Sequence, residues 1–145
     1  MAGYGGARNA RVGIYRSSLE QRNAAHVEKL GGVAEFEAYK LPYVVPERIA
    51  TYNPDFVLGN GIIVETKGIF ETADRQKQLL IQAQYPMLDI RFVFSSSKSK
   101  LYTGSKTTYA DWCTKHGFKF ADKLIPASWL KEPRKEIPKG TLIKK

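Results

Sequence analysis

Apolar and polar positions along the chain switch between a helical and a strand period. Leu19, Val27 and Leu30 mark one face of a helix that starts at Ser17 or Ser18 and stops at Gly31-Gly32. Serine supplies the N-cap, and glycine suits the left-handed residue just past a helix end. Val33 to Lys40 reads as a strand with Phe36 and Ala38 on one face. Residues 41–46 set a short apolar stretch between Pro42 and Pro46, which favours an extended connector over a tight turn. Phe56-Val57-Leu58 and Ile62-Ile63-Val64 flank Gly59-Asn60-Gly61 and predict a hairpin. Residues 72–84 predict a second helix with Leu79, Leu80 and Ala83 inward, and Asp89 to Ser95 a strand with Ile90, Phe92 and Phe94 on one side. Tyr109, Trp112, Cys113 and His116 share a helix face that Gly117 closes, and a short strand around Phe118 to Phe120 follows. What remains, with Pro126, Pro133 and Pro138, reads as turn and tail. The class is mixed α/β.

The chain has 145 residues, enough for one core and too few for two. An apolar fraction of 43% and a charged fraction of 26% exclude a disordered chain, a coiled coil and a collagen-like fibre. No apolar run approaches the roughly 20 residues that span a bilayer, and Met1-Ala2-Gly3-Tyr4-Gly5-Gly6 lacks a secretory signal's apolar stretch. Cys113 is the single cysteine, so no internal disulfide forms and a reducing compartment is expected. With only His26 and His116 beside it, a tetrahedral zinc site of Cys and His is excluded.

Charge divides the chain. The net +9 sits mainly at the ends: Arg8, Arg11 and Arg16 with no acid in residues 1–16, and six basic against two acidic residues in 131–145. This predicts a flexible basic arm over 1–16, a single domain over 17–130 and a basic tail over 131–145. Basic arms on a near-neutral body suit a polyanion, of which nucleic acid is the commonest, although solvated tails also look this way.

The chemistry concentrates between Pro54 and Lys67. In a strand from Ile62 to Lys67, Glu65 and Lys67 share one face and Thr66 points away. A three-residue Gly59-Asn60-Gly61 loop pairs Leu58 with Ile62, Val57 with Ile63, Phe56 with Val64, and Asp55 with Glu65; a two-residue loop would throw the acids onto opposite faces. Facing carboxylates repel unless something holds them, and a divalent cation with oxygen ligands does so. The bland reading is an edge-strand pair of Glu65 and Lys67 with Asp55 capping a turn. Pro-Asp ten residues ahead of Glu-x-Lys on facing strands favours the metal site.

Pro54-Asp55 with Glu65-Thr66-Lys67 resembles the PD-(D/E)-x-K signature of restriction-endonuclease-like nucleases. Thr51-Tyr52-Asn53-Pro54-Asp55-Phe56, Val64-Glu65-Thr66-Lys67-Gly68, Ile90-Arg91-Phe92-Val93-Phe94-Ser95-Ser96-Ser97 and Phe120-Ala121-Asp122-Lys123-Leu124-Ile125-Pro126-Ala127 narrow it. So do Lys115-His116-Gly117 and the opening Met1-Ala2-Gly3-Tyr4-Gly5. Together they resemble the endonuclease I family of T-odd, T-seven-like phages, the Holliday-junction resolvases. The resemblance implies a mixed sheet flanked by helices in a domain-swapped homodimer, with 41–46 as the connector between subunits. It implies catalytic Glu20, Asp55, Glu65 and Lys67, and Mg²⁺, with Mn²⁺ able to substitute, as two ions per site. Asp55 would bridge the ions, Glu65 and the Thr66 carbonyl would complete one site, and Glu20 the other. Ser17-Ser18-Leu19-Glu20 is also a capping box, which explains Glu20 without any metal.

Arg8, Arg11, Arg16, Arg75, Lys77, Lys98 and Lys100 are candidate phosphate contacts, and each also fits a solvated surface. The expected function is metal-dependent cleavage of four-way junctions and branched DNA in the cytoplasm of an infected bacterial host, with no membrane role. A mismatch or restriction-type nuclease of the same signature, or a nucleic-acid-binding protein without catalysis, are the alternatives.

Overall fold

The computed structural model describes residues 15, 17–45 and 47–145. Helix α1 spans Ser18–Lys29; Ser17 caps it by accepting the Glu20 N–H at 3.1 Å, and Gly31 leaves it at φ +77°. Both ends fall where the sequence puts them.

A five-stranded sheet carries the domain, in the order β1 (Ala34–Phe36), β4 (Phe56–Leu58), β5 (Ile63–Lys67), β6 (Ile90–Phe94), β7 (Phe120–Asp122). The first three run antiparallel to their neighbours, and β5, β6 and β7 run parallel. Alternate strand residues feed two cores. Ile63, Phe92 and Phe94 pack with Ile81 of α2 (Thr72–Gln84) and Trp112 of α3 (Tyr109–His116). Val64 and Val93 pack with Val27 of α1 and Trp129 of α4 (Ala127–Leu130). A sheet covered on both faces needs strands that are apolar throughout, and all five residues of β6 are buried.

The predicted hairpin register holds: Phe56 pairs with Val64 and Val57 with Ile63. Gly61 takes φ +90°, and a Cβ there would stand 2.7 Å from the Lys135 carbonyl oxygen, so only glycine fits.

Elsewhere the chain departs from its pattern. The strand expected over Val33 to Lys40 breaks at Glu37, which adopts φ +46°. The stretch after it is extended as expected, but as a paired strand: β2 (Tyr39–Val45) forms an antiparallel hairpin with β3 (Arg48–Tyr52), Leu41 opposite Tyr52 and Val45 opposite Arg48. The strand expected at Phe118 starts two residues later, at Phe120. Ala83 faces solvent while Gln78 and Ile81 turn inward. Gln84 bonds both the N–H and the carbonyl of Val44 at 2.6 Å. At the end of the chain, β8 (Ile143–Lys144) pairs with Tyr39 and Lys40 of β2 in a three-stranded sheet ordered β3-β2-β8. No helix among the described residues is long and apolar enough to cross a membrane.

Candidate active site

The end of β5, the residues leading into β4, the first turn of α1 and the bend between β1 and β2 converge on a polar cavity of about 530 Å³. Glu20, Asp55, Glu65, Thr66, Lys67 and Lys77 all line it, so the fold gathers six of the residues singled out in the sequence. Asp55 and Glu65 face each other as the hairpin register requires, with the Asp55 N–H 3.3 Å from Glu65 Oε1. Thr66 departs from strict alternation. Its N–H and its hydroxyl both donate to Asp55 Oδ2 at 2.9 Å, because Asp55 lies beyond the last paired residue of β4 and leans across the strand.

Glu37 is the residue that sequence reasoning missed. Carboxylate oxygens of Glu20, Glu37 and Asp55 lie within 4.8 Å of one another. The left-handed turn at Glu37 brings it there, and its N–H donates to the Asp55 carbonyl at 3.0 Å. Nothing in the sequence signals it, since glutamate at positive φ is uncommon outside special sites. Asn53 and Lys145 also reach the cavity, Lys145 through a backbone bond to Ala38 at 2.9 Å.

The electrostatics follow from burial and crowding. Glu65 is pushed up to about 8, first by burial and then by Asp55, against the opposing pull of Tyr52 and Lys67. The ammonium of Lys67 pairs with Asp74 of α2 at 3.2 Å. Burial works against its charge, but Glu65, Asp74 and Asp55 outweigh that, and its pKa is raised. The four carboxylates at the cavity, which stand beside Lys67, Lys77 and Lys145, are oxygen donors and fit a hard divalent cation such as Mg²⁺ or Mn²⁺ far better than a soft one.

The other candidates disperse. Arg75 turns away to hold the Phe70 carbonyl at 2.6 Å and the Thr72 hydroxyl at 3.0 Å. Lys77 stands at the cavity with its amine 5.2 Å from the centre of the Tyr52 ring. Lys98 and Lys100 are exposed in the loop after β6. Arg8, Arg11 and Arg16 lie outside the described residues. Cys113 is buried and its thiol is pushed up to about 12, which removes it as a nucleophile. His26 bonds the Ile125 carbonyl oxygen at 2.8 Å, and His116 lies against Trp112, so both have structural roles.

The family model of phage endonuclease I matches residues 1–145. The chain is 56% identical over 145 residues to Endonuclease I of Escherichia phage T7, covering 100% of this chain and 97% of that one. It is 52% identical over 138 residues to Endodeoxyribonuclease 1 of Enterobacteria phage T3, covering 95% of this chain and 91% of the relative.

Proposed function

The chain belongs to the phage endonuclease I family, and we propose that it resolves four-way (Holliday) junctions and branched DNA by divalent-metal-dependent phosphodiester hydrolysis. The observation that carries this reading is the juxtaposition of Asp55 and Glu65 on facing strands with Glu20, Glu37 and Lys67 at one open polar cavity. Its site of action is the cytoplasm of the infected host.

When bound, Mg²⁺ or Mn²⁺ would supply an acidified water and Lewis-acid stabilisation of the phosphate and the departing 3′ oxygen. Asp55, Glu65, Glu20 and the Thr66 carbonyl are the residues to hold two such ions. Thr66 fixes the Asp55 carboxylate through two donors on Oδ2. Lys67, kept protonated by its acidic neighbours, offsets the negative charge that grows on the phosphate. It is an electrostatic stabiliser and an anchor for the attacking water rather than a base. Lys77 at the cavity, with Lys98, Lys100 and the arm arginines Arg8, Arg11 and Arg16, would meet flanking phosphates.

The working unit in this reading is a twofold dimer with exchanged N-terminal elements. Here α1 and β1 pack on the same chain's sheet, joined to it through the β2–β3 hairpin, whose turn holds Glu47 at φ +84°. Opening that strained turn joins β2 and β3 into one extended run. Residues ahead of the turn then cross to a second chain and make the same contacts there.

Cleavage of a four-way junction and of its separate linear arms, with Mg²⁺, tests the proposal. Junction-selective cutting that vanishes in Asp55→Asn while binding persists is the expected result. Equal cutting of the linear arms would mean a mismatch or restriction-type nuclease, and binding without any cutting a non-catalytic protein.

A further inference from the structure

The proposed chemistry leaves Tyr52 without a role, yet Tyr52 touches the site from behind. It ends β3, is fully buried, and its hydroxyl donates to Glu65 Oε1 at 2.7 Å. The Gln78 amide acts on the same hydroxyl, pulling its pKa down against the upward push of burial and Glu65. Gln78 belongs to α2 and is 2% exposed. Its own carbonyl oxygen is buried without a hydrogen-bond partner among the described residues.

That unpaired oxygen is informative. If the amide were turned over, Gln78 Oε1 and Glu65 Oε1 would compete as acceptors for a single phenolic proton. With the NH₂ toward Tyr52, the proton has one destination, Glu65, and the unpaired carbonyl is what that direction costs. Among the described residues, the hydrogen bonds that reach the Glu65 carboxylate, from Tyr52 and from the Asp55 N–H, fall on Oε1. Oε2 is therefore the oxygen left to the cavity.

We propose that Tyr52, oriented by Gln78, is a positioning residue: it commits one Glu65 oxygen to the protein and so presents the other, in a fixed rotamer, to a divalent cation. Outer partners of this kind hold a ligand's orientation and typically matter by 10–100-fold in metal affinity or rate. The inference rests on reading Glu65 as a cation ligand.

Tyr52→Phe removes one oxygen atom and keeps the ring in the core. Binding of Mn²⁺ to the DNA-free protein, followed by the paramagnetic resonance of the free ion, should weaken by about tenfold. In Mg²⁺ the turnover number for junction cleavage should fall by a similar factor with KM for the junction unchanged. Loss of packing alone would lower the melting temperature and leave both readouts in place. Gln78→Leu leaves Tyr52 and Glu65 intact and should weaken Mn²⁺ binding in the same direction. Mn²⁺ affinity within about twofold of wild type in both variants would overturn the proposal. Normal affinity in Gln78→Leu alone would remove Gln78 from it. Glu65→Gln run alongside separates the two readings. If it still binds Mn²⁺ and cuts, the cation-ligand reading fails; if it loses both while Tyr52→Phe is normal, only the role of Tyr52 fails.

Discussion

Arg91 pairs with Glu132 through both arms of its guanidinium, Nη1 to Oε2 at 2.7 Å and Nη2 to Oε1 at 2.8 Å. The arginine side chain is fully buried, donates to Asp89 through Nε and Nη2, and lies 5.1 Å from the centre of the Trp129 ring. Lys135 closes the group at 3.2 Å from Glu132 and 3.5 Å from Asp89. The pairing fastens the segment after α4 to the middle of the sheet.

Stability in acid should follow that pairing. Hydrogen bonds from Arg91 pull Glu132 down to about 2 from an ordinary 4.5, and pull Asp89 down as well. A carboxylate depressed in the folded state contributes stability above its unfolded value and loses it as pH falls through the folded one. The contribution is thus complete above about pH 4.5 and gone near pH 2. Glu132→Gln should cost about 1–2 kcal/mol at pH 7, in the range of a charge-assisted bond to a buried group. Urea melts at pH 7 and pH 3 should find the gap between the proteins narrowed in acid; a constant gap would contradict the assignment.

Glu65 should act in the opposite sense. Its folded value of about 8 lies above the ordinary 4.5, so the metal-free protein holds its proton longer than the unfolded chain does. Stability from this group is complete below about pH 4.5 and is lost as pH rises through about 8. In EDTA, the melting temperature of the wild type should therefore fall between pH 5 and pH 9 relative to Glu65→Gln, which mimics the protonated acid. Mg²⁺ should restore the wild type alone. Parallel melting curves for the two proteins across that range would count against a crowded carboxylate site.

Glu37 offers a test in which fold and site move in opposite directions. At φ +46° an L-residue is strained by up to about 1–2 kcal/mol, and glycine is not. Glu37→Gly should therefore hold or raise the metal-free melting temperature while Mn²⁺ binds more weakly, as expected of strain kept for a functional side chain. Unchanged Mn²⁺ affinity would remove Glu37 from the cation site.

These residues also mark how far the sequence could be read. The β4–β5 register was legible because Gly59-Asn60-Gly61 admits a three-residue turn with glycine at positive φ, and that register alone set Asp55 against Glu65. α1 was legible from Ser17 and Gly31, which announce its two ends locally. The β2–β3 hairpin was not. It carries no glycine at its turn, and proline is the residue least expected in a paired strand. Glu37 was hidden for a similar reason, since a left-handed glutamate is held by its neighbours and not by its own preference. Arg91 sits in a strand otherwise apolar throughout, and its partner Glu132 comes from a segment whose composition reads only as basic tail.

The last prediction concerns which chain supplies Glu20. Resolution of a four-way junction needs two cuts, and a twofold dimer offers two equivalent sites for them. Within one chain, Glu20 and Asp55 already share a carboxylate cluster. Exchange of residues ahead of the Glu47 turn would build the same cluster between two chains, so geometry alone is compatible with either. Refolding a mixture of Glu20→Ala and Lys67→Ala chains tells them apart. With exchange, a mixed dimer has one site that draws intact Glu20 from the Lys67→Ala chain and intact Asp55, Glu65 and Lys67 from the other. Its second site lacks both residues. Such dimers should nick junctions on one strand, at up to about a quarter of the wild-type rate per site when half the dimers are mixed, while neither variant cuts alone. Without exchange, every site in the mixture lacks one residue and no nicking returns.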